Sequence, residues 1–259
     1  MRVQPLGSGS KGNSTLVRAG ETNLLIDLGF SARRAYQLLE ECRVLPQSVE
    51  HLLVTHGHLD HTRGAGTFAR KTGAEVVCVE AIMRNTALVR AKRFRRLPVG
   101  GTVYLGTSDD PLGVTALKIQ HDADPTVALE LVHRERRLSF VTDMGLPDAG
   151  VAERLANPSV LVLEFNHDAE MLANGPYPEA LKRRISGPGG HLSNAEAAWM
   201  LERMVGDDLH TLVLAHLSEN NNTPELAREA AEATLRRAGR SDVNVIVAEQ
   251  STPLAPIDV

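Results

Sequence analysis

Three histidines and an aspartate fall within six positions of the segment His56-Gly57-His58-Leu59-Asp60-His61. Imidazole and carboxylate are the side chains that first-row divalent metals accept, zinc and manganese among them. The segment follows the apolar run Leu52-Leu53-Val54, which reads as a buried strand. A strand of that kind delivers the four side chains into a tight loop from a rigid support, which a histidine-rich surface loop would not need.

Five further ionisable residues stand at the ends of apolar runs. Asp27 ends Leu24-Leu25-Ile26, His121 ends 114–120, Asp143 ends 138–142, Glu164 ends 160–163 and His216 ends 212–215. Each alone reads first as a solvated or satisfied polar residue. Together with the loop they suit a metal centre, because ligands on several strand ends facing one rim are preorganised.

The elements that must position them alternate along the chain. Strands are predicted at 2–6, 15–17, 23–27, 52–56, 76–79, 102–105, 113–119, 126–132, 138–142, 159–164, 211–215 and 243–247. Helices are predicted at 31–42, capped by Ser31, and at 62–71, 148–156, 178–186, 193–205 and 224–238. A helical stretch from Glu80 is expected to run into the basic run Arg90-Ala91-Lys92-Arg93-Phe94-Arg95-Arg96. This even mixture suggests two sheets between helix layers, and 1–259 is read as one domain.

Composition narrows the function. The 259 residues are 42% hydrophobic, 3% aromatic and carry a formal net charge of -4. Few aromatics argue against a base-stacking surface, and the net charge does not announce a nucleic-acid binder. The basic run reads first as a solvated face and second as a contact to a phosphate backbone. Two cysteines without a CxxC spacing, no apolar leader and no membrane-length run point to a cytoplasmic protein. Gly7-Ser8-Gly9-Ser10-Lys11-Gly12-Asn13-Ser14 lacks the dinucleotide and Walker spacings. It reads as a tight turn, or as a nest near an anion with Ser10 and Asn13 as substrate contacts.

Thr55-His56-Gly57-His58-Leu59-Asp60-His61 resembles the HxHxDH motif of the metallo-β-lactamase superfamily, with Asp27, His121, Asp143 and His216 in the order of its other motifs. The glycine-rich segment, Glu164-Phe165-Asn166-His167-Asp168, Gly190-His191-Leu192-Ser193-Asn194 and 215–224 resemble the YycJ/WalJ-type metallo-hydrolases. The resemblance implies a four-layer αββα sandwich of the α/β (α+β) class with two divalent ions, zinc or manganese in preference to iron. His56, His58 and His121 would hold one ion, and Asp60, His61 and His216 the other. Asp143 would bridge them, and Asp27 would orient a ligand from behind.

The echo of Gln120-His121-Asp122 in Asn166-His167-Asp168 offers two histidines for one ligand position. Superfamily order selects His121, leaving His167 as a pocket residue for substrate. Two ions sharing a water make hydroxide available for in-line attack at phosphorus. Asp60, His191 and Glu164 are the expected catalytic residues. His191 resembles the proton-donating histidine of RNase Z-like phosphodiesterases, with Glu164 to orient it, although a helix-capping histidine is the alternative. The resemblance implies nucleic-acid cleavage, DNA in preference to RNA and from 5′ to 3′. The competing readings are a cyclic or small phosphodiesterase, a glyoxalase II-like thioester hydrolase, an iron-dependent oxidoreductase and a non-catalytic regulator.

Overall fold

The computed structural model describes residues 1–259. The first half of the chain contributes β1 (Arg2–Gly7), β2 (Ser14–Ala19), β3 (Thr22–Ile26), β4 (Val49–Val54), β5 (Glu75–Cys78) and β6 (Phe94–Arg96). The second contributes β7 (Thr102–Thr107), β8 (Asp110–Ile119), β9 (Thr126–His133), β10 (Arg136–Val141), β11 (Val160–Glu164), β12 (Thr211–Ala215) and β13 (Asn244–Val247), with a final β14 (Ile257–Asp258). They form two sheets, β14-β1-β2-β3-β4-β5-β6 and β13-β12-β11-β10-β9-β8-β7.

Each sheet changes character partway across. Pairing is antiparallel from β1 to β3 and parallel from β3 to β6. It is antiparallel again from β7 to β10 and parallel from β10 to β13. Asp27 and Asp143 follow the two strands, β3 and β10, at which the pairing switches.

Residue alternation builds four layers. On β3, Leu24 and Ile26 enter the core between the sheets, while Leu25 faces the helices outside. Val213 and Leu214 divide in the same way on β12. Burial on both faces explains why these strands are continuous apolar runs rather than alternating ones. Helices α1 (Ala32–Glu41), α2 (Leu59–Thr62) and α3 (Ala65–Thr72) belong to the first half of the chain. Their counterparts are α4 (Ala149–Arg154), α5 (Ala169–Asn174), α6 (Glu179–Ile185), α7 (Asn194–Met204) and α8 (Pro224–Arg237). The first sheet is covered by α1 and α3, the second by α4, α7 and α8. The result is the αββα sandwich, and no helix is long and apolar enough to cross a membrane.

Several elements differ from expectation. The helix expected at 62–71 is interrupted after Thr62, where the Gly64 amide donates to the Leu28 carbonyl at 3.0 Å instead of within a helix, and resumes at Ala65. The stretch from Glu80 is one 3-10 turn, Glu80–Arg84, and residues 94–96 form an edge strand instead of a helix. Parallel pairing with β5 wins there, assisted by Glu75, which Arg95 reaches at 2.8 Å. Helix α5, capped by Asp168, was hidden by its shortness, as was β14.

Candidate metal centre

The carboxyl ends of β3, β4, β8, β10, β11 and β12 bring the ionisable residues together. Asp27, Asp143 and His216 leave their strands with φ of 58°, 60° and 56°, the left-handed region that is uncommon for non-glycine residues. Strained backbone of this kind persists where surrounding contacts fix it, as at functional sites. Here the contacts are plain. Asp27, 1% exposed, accepts hydrogen bonds from the Thr55 amide and hydroxyl, each 2.8 Å, and from His61 Nδ1 at 2.8 Å. Gly29 lets the loop lie against this turn, since a side-chain carbon there would collide with the Asp60 carbonyl.

His56, His58 and His121 offer nitrogens within 4.8 Å of one another, as do the ligand atoms of Asp60, His61 and His216. Asp143 joins the groups: it clusters with His56 and His61, and its oxygens lie 3.2 Å from His61 Nε2 and 3.6 Å from His216 Nε2. Each imidazole has a partner for its outer nitrogen. Thr55 Oγ1 takes His56 Nδ1 at 3.1 Å, Asp122 takes His58 Nε2 at 3.1 Å and the Gly190 carbonyl takes His121 Nδ1 at 2.9 Å. Asp27 and Glu164 take the Nδ1 atoms of His61 and His216 at 2.8 and 3.1 Å. A donated outer N–H leaves the inner nitrogen with its lone pair, the form in which imidazole binds metal.

Those inner atoms fit a pair of cations. His56 Nε2, His216 Nε2 and Asp143 Oδ2 are buried without a hydrogen-bond partner, an expensive arrangement unless an ion satisfies them. His58 Nδ1 and His121 Nε2 face each other at 3.3 Å. Two nitrogens on one tetrahedral ion at about 2.0–2.1 Å lie roughly 3.3 Å apart. The electrostatics agree. Burial, reinforced by neighbouring histidines, pulls His56 well below its ordinary value and His58 below it as well. Burial also opposes charge on His61 and His216, yet Asp143 and the other carboxylates raise both, His216 to about 10. Burial would raise Asp143 and Asp60, but the surrounding histidines hold both below the usual carboxylate range. A pocket that holds carboxylates ionised and draws protons onto imidazoles is one that demands positive charge.

Beside this centre, Glu164 is completely buried and fully satisfied. Its Oε1 accepts from His191 Nδ1 at 2.8 Å and His216 Nδ1 at 3.1 Å, and its Oε2 from the Met144 and Leu192 amides. Burial alone would raise it, but His191 and these hydrogen bonds bring it to about 2. The His191 ring, its side chain 21% exposed, sits 5.1 Å from that of His121 and 5.0 Å from that of His216.

The glycine-rich segment is divided. Asn13 lies inside the site, its Oδ1 accepting from the Gly9 amide at 2.7 Å while Nδ2 stands 2.9 Å from His61 Nε2. Ser8 Oγ accepts from the His216 amide at 2.9 Å. Ser10 is exposed on the turn and is not drawn into the centre. His167 is buried beside Ser193, with Nδ1 unpartnered, and belongs to none of the four ligand groups. Sequence reasoning passed over Asp122, Thr55 and Asn166, whose Nδ2 donates to the His216 carbonyl at 2.8 Å. Asp122 follows His121 directly, so adjacency to a candidate ligand was the available signal. The Gly190 carbonyl had none.

The fold and this arrangement of ligands define a class. The metallo-β-lactamase superfamily model matches residues 7–216, and the chain belongs to that superfamily. Within it, the chain is 32% identical over 238 residues to exodeoxyribonuclease YycJ of Bacillus anthracis, covering 90% of this chain and 89% of that one. It is also 32% identical over 228 residues to exodeoxyribonuclease WalJ of Streptococcus pneumoniae serotype 2 (strain D39 / NCTC 7466), covering 86% and 83%. Among solved structures, the metallo-β-lactamase fold protein YhfI of Bacillus subtilis aligns with a TM-score of 0.74 at 16% identity, over 98% of this chain and 99% of that one. The short form of human tRNase Z aligns with a TM-score of 0.65 at 16% identity over the whole of both chains. These likenesses show the fold. With its family, its relatives and its ligand clusters, the chain is a metal-binding hydrolase that acts on ester bonds.

Proposed function

We propose that this protein is a phosphodiesterase acting on nucleic acid, a 5′-to-3′ DNA exonuclease, with two divalent ions, zinc or manganese, held by His56, His58 and His121, by Asp60, His61 and His216, and by Asp143 between them. Such a pair of ions supplies a water activated near neutral pH and offsets negative charge on the phosphate. The chain's own residues do the rest.

One observation carries the reading. Glu164 Oε1 is shared by His191 Nδ1 and His216 Nδ1, so one buried carboxylate ties the rim histidine to a candidate ligand. With Nδ1–H given to Glu164, the proton available for transfer is the one on His191 Nε2. That atom is on the rim side of the ring, from which a proton can pass to a leaving alkoxide. Acid catalysis of this kind is worth ~10²–10⁴ in rate. It matters for a sugar hydroxyl, a poor leaving group, and not for a thiolate, which favours a phosphodiester over a thioester. Asn13 Nδ2, its amide orientation fixed by Gly9, is a donor for a phosphate oxygen near His61. The 32% identity to proteins named exodeoxyribonuclease supports the choice of DNA.

The test is a substrate panel of 5′-phosphorylated DNA, RNA, bis-p-nitrophenyl phosphate and a thioester, run with His191→Ala beside the natural protein. DNA hydrolysis is expected, falling ~10²–10⁴-fold in His191→Ala with metal content preserved. Thioester turnover without phosphodiester cleavage would sink the reading, and undiminished DNA hydrolysis by His191→Ala would remove the proton donor.

A further inference from the structure

An open groove of about 470 Å³ leads off the candidate metal centre, with His58 and Asp122 in its wall. Pockets that take small organic ligands run to ~300–1,000 Å³. One side is the 3-10 turn Glu80–Arg84 and the other the loop 122–125. Asn85 fixes the first side to the metal-binding loop. Its Nδ2 donates to the Gly57 carbonyl at 2.7 Å, and its Oδ1 accepts from the Ala87 amide at 2.9 Å.

The charges of the groove are unequal in availability. Asp122 is occupied by Arg184, at 2.6 Å, and by His58, at 3.1 Å. Asp124 is occupied by Lys118 at 2.8 Å. Arg84 is exposed and has no ion-pair partner, so the charge left for a ligand is positive. Ala81, Ala123 and Pro125 add apolar surface. Within the denser basic run, the arginines at 93–96 are the opposite case. Arg93 and Arg95 are paired with Glu75, and Arg96 with Glu80.

We infer that this groove binds the nucleotide adjoining the scissile phosphodiester, its base and sugar against Ala81 and Pro125, and that Arg84 takes the next phosphate of the strand. The inference rests on the phosphodiesterase reading and names where that substrate leaves the metal centre. Arg84, not the arginines at 93–96, is then the phosphate contact on this side.

The experiment measures binding of a 5′-phosphorylated, phosphorothioate-linked oligothymidylate to the metal-loaded protein, by fluorescence anisotropy from about 50 to 200 mM salt. Arg84→Gln is expected to weaken binding about tenfold and to reduce the slope of log affinity against log salt by about 0.7, the loss of one single-strand phosphate contact. Arg84→Lys should keep the slope, and Arg96→Gln should match the natural protein. An Arg84→Gln affinity and slope equal to those of the natural protein would overturn the groove assignment and leave the phosphodiesterase reading standing. Failure of the natural protein itself to bind the oligonucleotide would overturn both.

Discussion

The two candidate ion sites differ in what stands behind their histidines. His61 and His216 are backed by the buried carboxylates Asp27 and Glu164. His56 and His121 are backed by a hydroxyl and a backbone carbonyl, and His58 by an aspartate whose charge Arg184 already answers. A carboxylate behind an imidazole raises its basicity as a ligand. The Asp60 site is therefore rich in negative charge and strongly proton-attracting, while at the His56 site burial holds His56 and His58 towards neutrality. Asp143 is the residue proposed to serve both.

That shared position sets the largest expected effect. Asp143→Ala would remove the proposed shared ligand and also the foremost influence that raises His61 and His216. Metal content should fall from two ions per chain to none retained through gel filtration. Turnover should fall on the order of 10³-fold, the scale at which a preorganised electrostatic element is lost. Elemental analysis and a steady-state assay decide it. Two ions retained, with turnover within about tenfold, would show that the sites do not depend on a common aspartate.

The same contrast governs what could be read from sequence. The loop His56 to His61 stands out because its candidate ligands fall within six positions and follow an apolar strand. Asp27, His121, Asp143, Glu164 and His216 were legible only as ends of strands, since each half of the sheet pair turns its chain at the same edge. Asp122 and Thr55 were missed because an outer partner carries no spacing rule: its role depends on which nitrogen it meets. The fold was read well where burial on both faces makes continuous apolar runs, as on β3 and β12. It was read poorly at 80–96, where Glu75 recruits arginines into an edge strand against their helical appearance. Ser10 and Asn13 show the limit within one segment. Composition treats them alike, while the turn exposes one and buries the other.

Asp122→Ala is the next largest effect and acts on the His56 site. It frees His58 Nε2 and strands Arg184, without touching the carboxylates behind His61 and His216. Loss of an outer partner costs about 10–100-fold in metal affinity. Competition with a chelating indicator should find that loss at one site only. Equal weakening of both sites would mean that Asp122 acts through the fold rather than through His58.

Acidification should act on the other site. Without metal, burial lowers the proton affinity of His216, but Asp143, with Asp60 and Glu164, raises it to about 10, and His61 is raised as well. Both therefore carry protons at neutral pH that a metal ion must displace. The sign follows: affinity at the Asp60 site climbs as pH rises towards about 10 and falls as pH drops, by about tenfold per unit for each proton displaced. His56 and His58, held below their ordinary values, impose no such competition at pH 7. Between about pH 9 and 6, chelator competition should show one steep site and one nearly flat one, with protons released on metal addition. Two sites of equal slope would erase the distinction between carboxylate-backed and neutrally backed histidines, and with it the reason for two kinds of support around one aspartate.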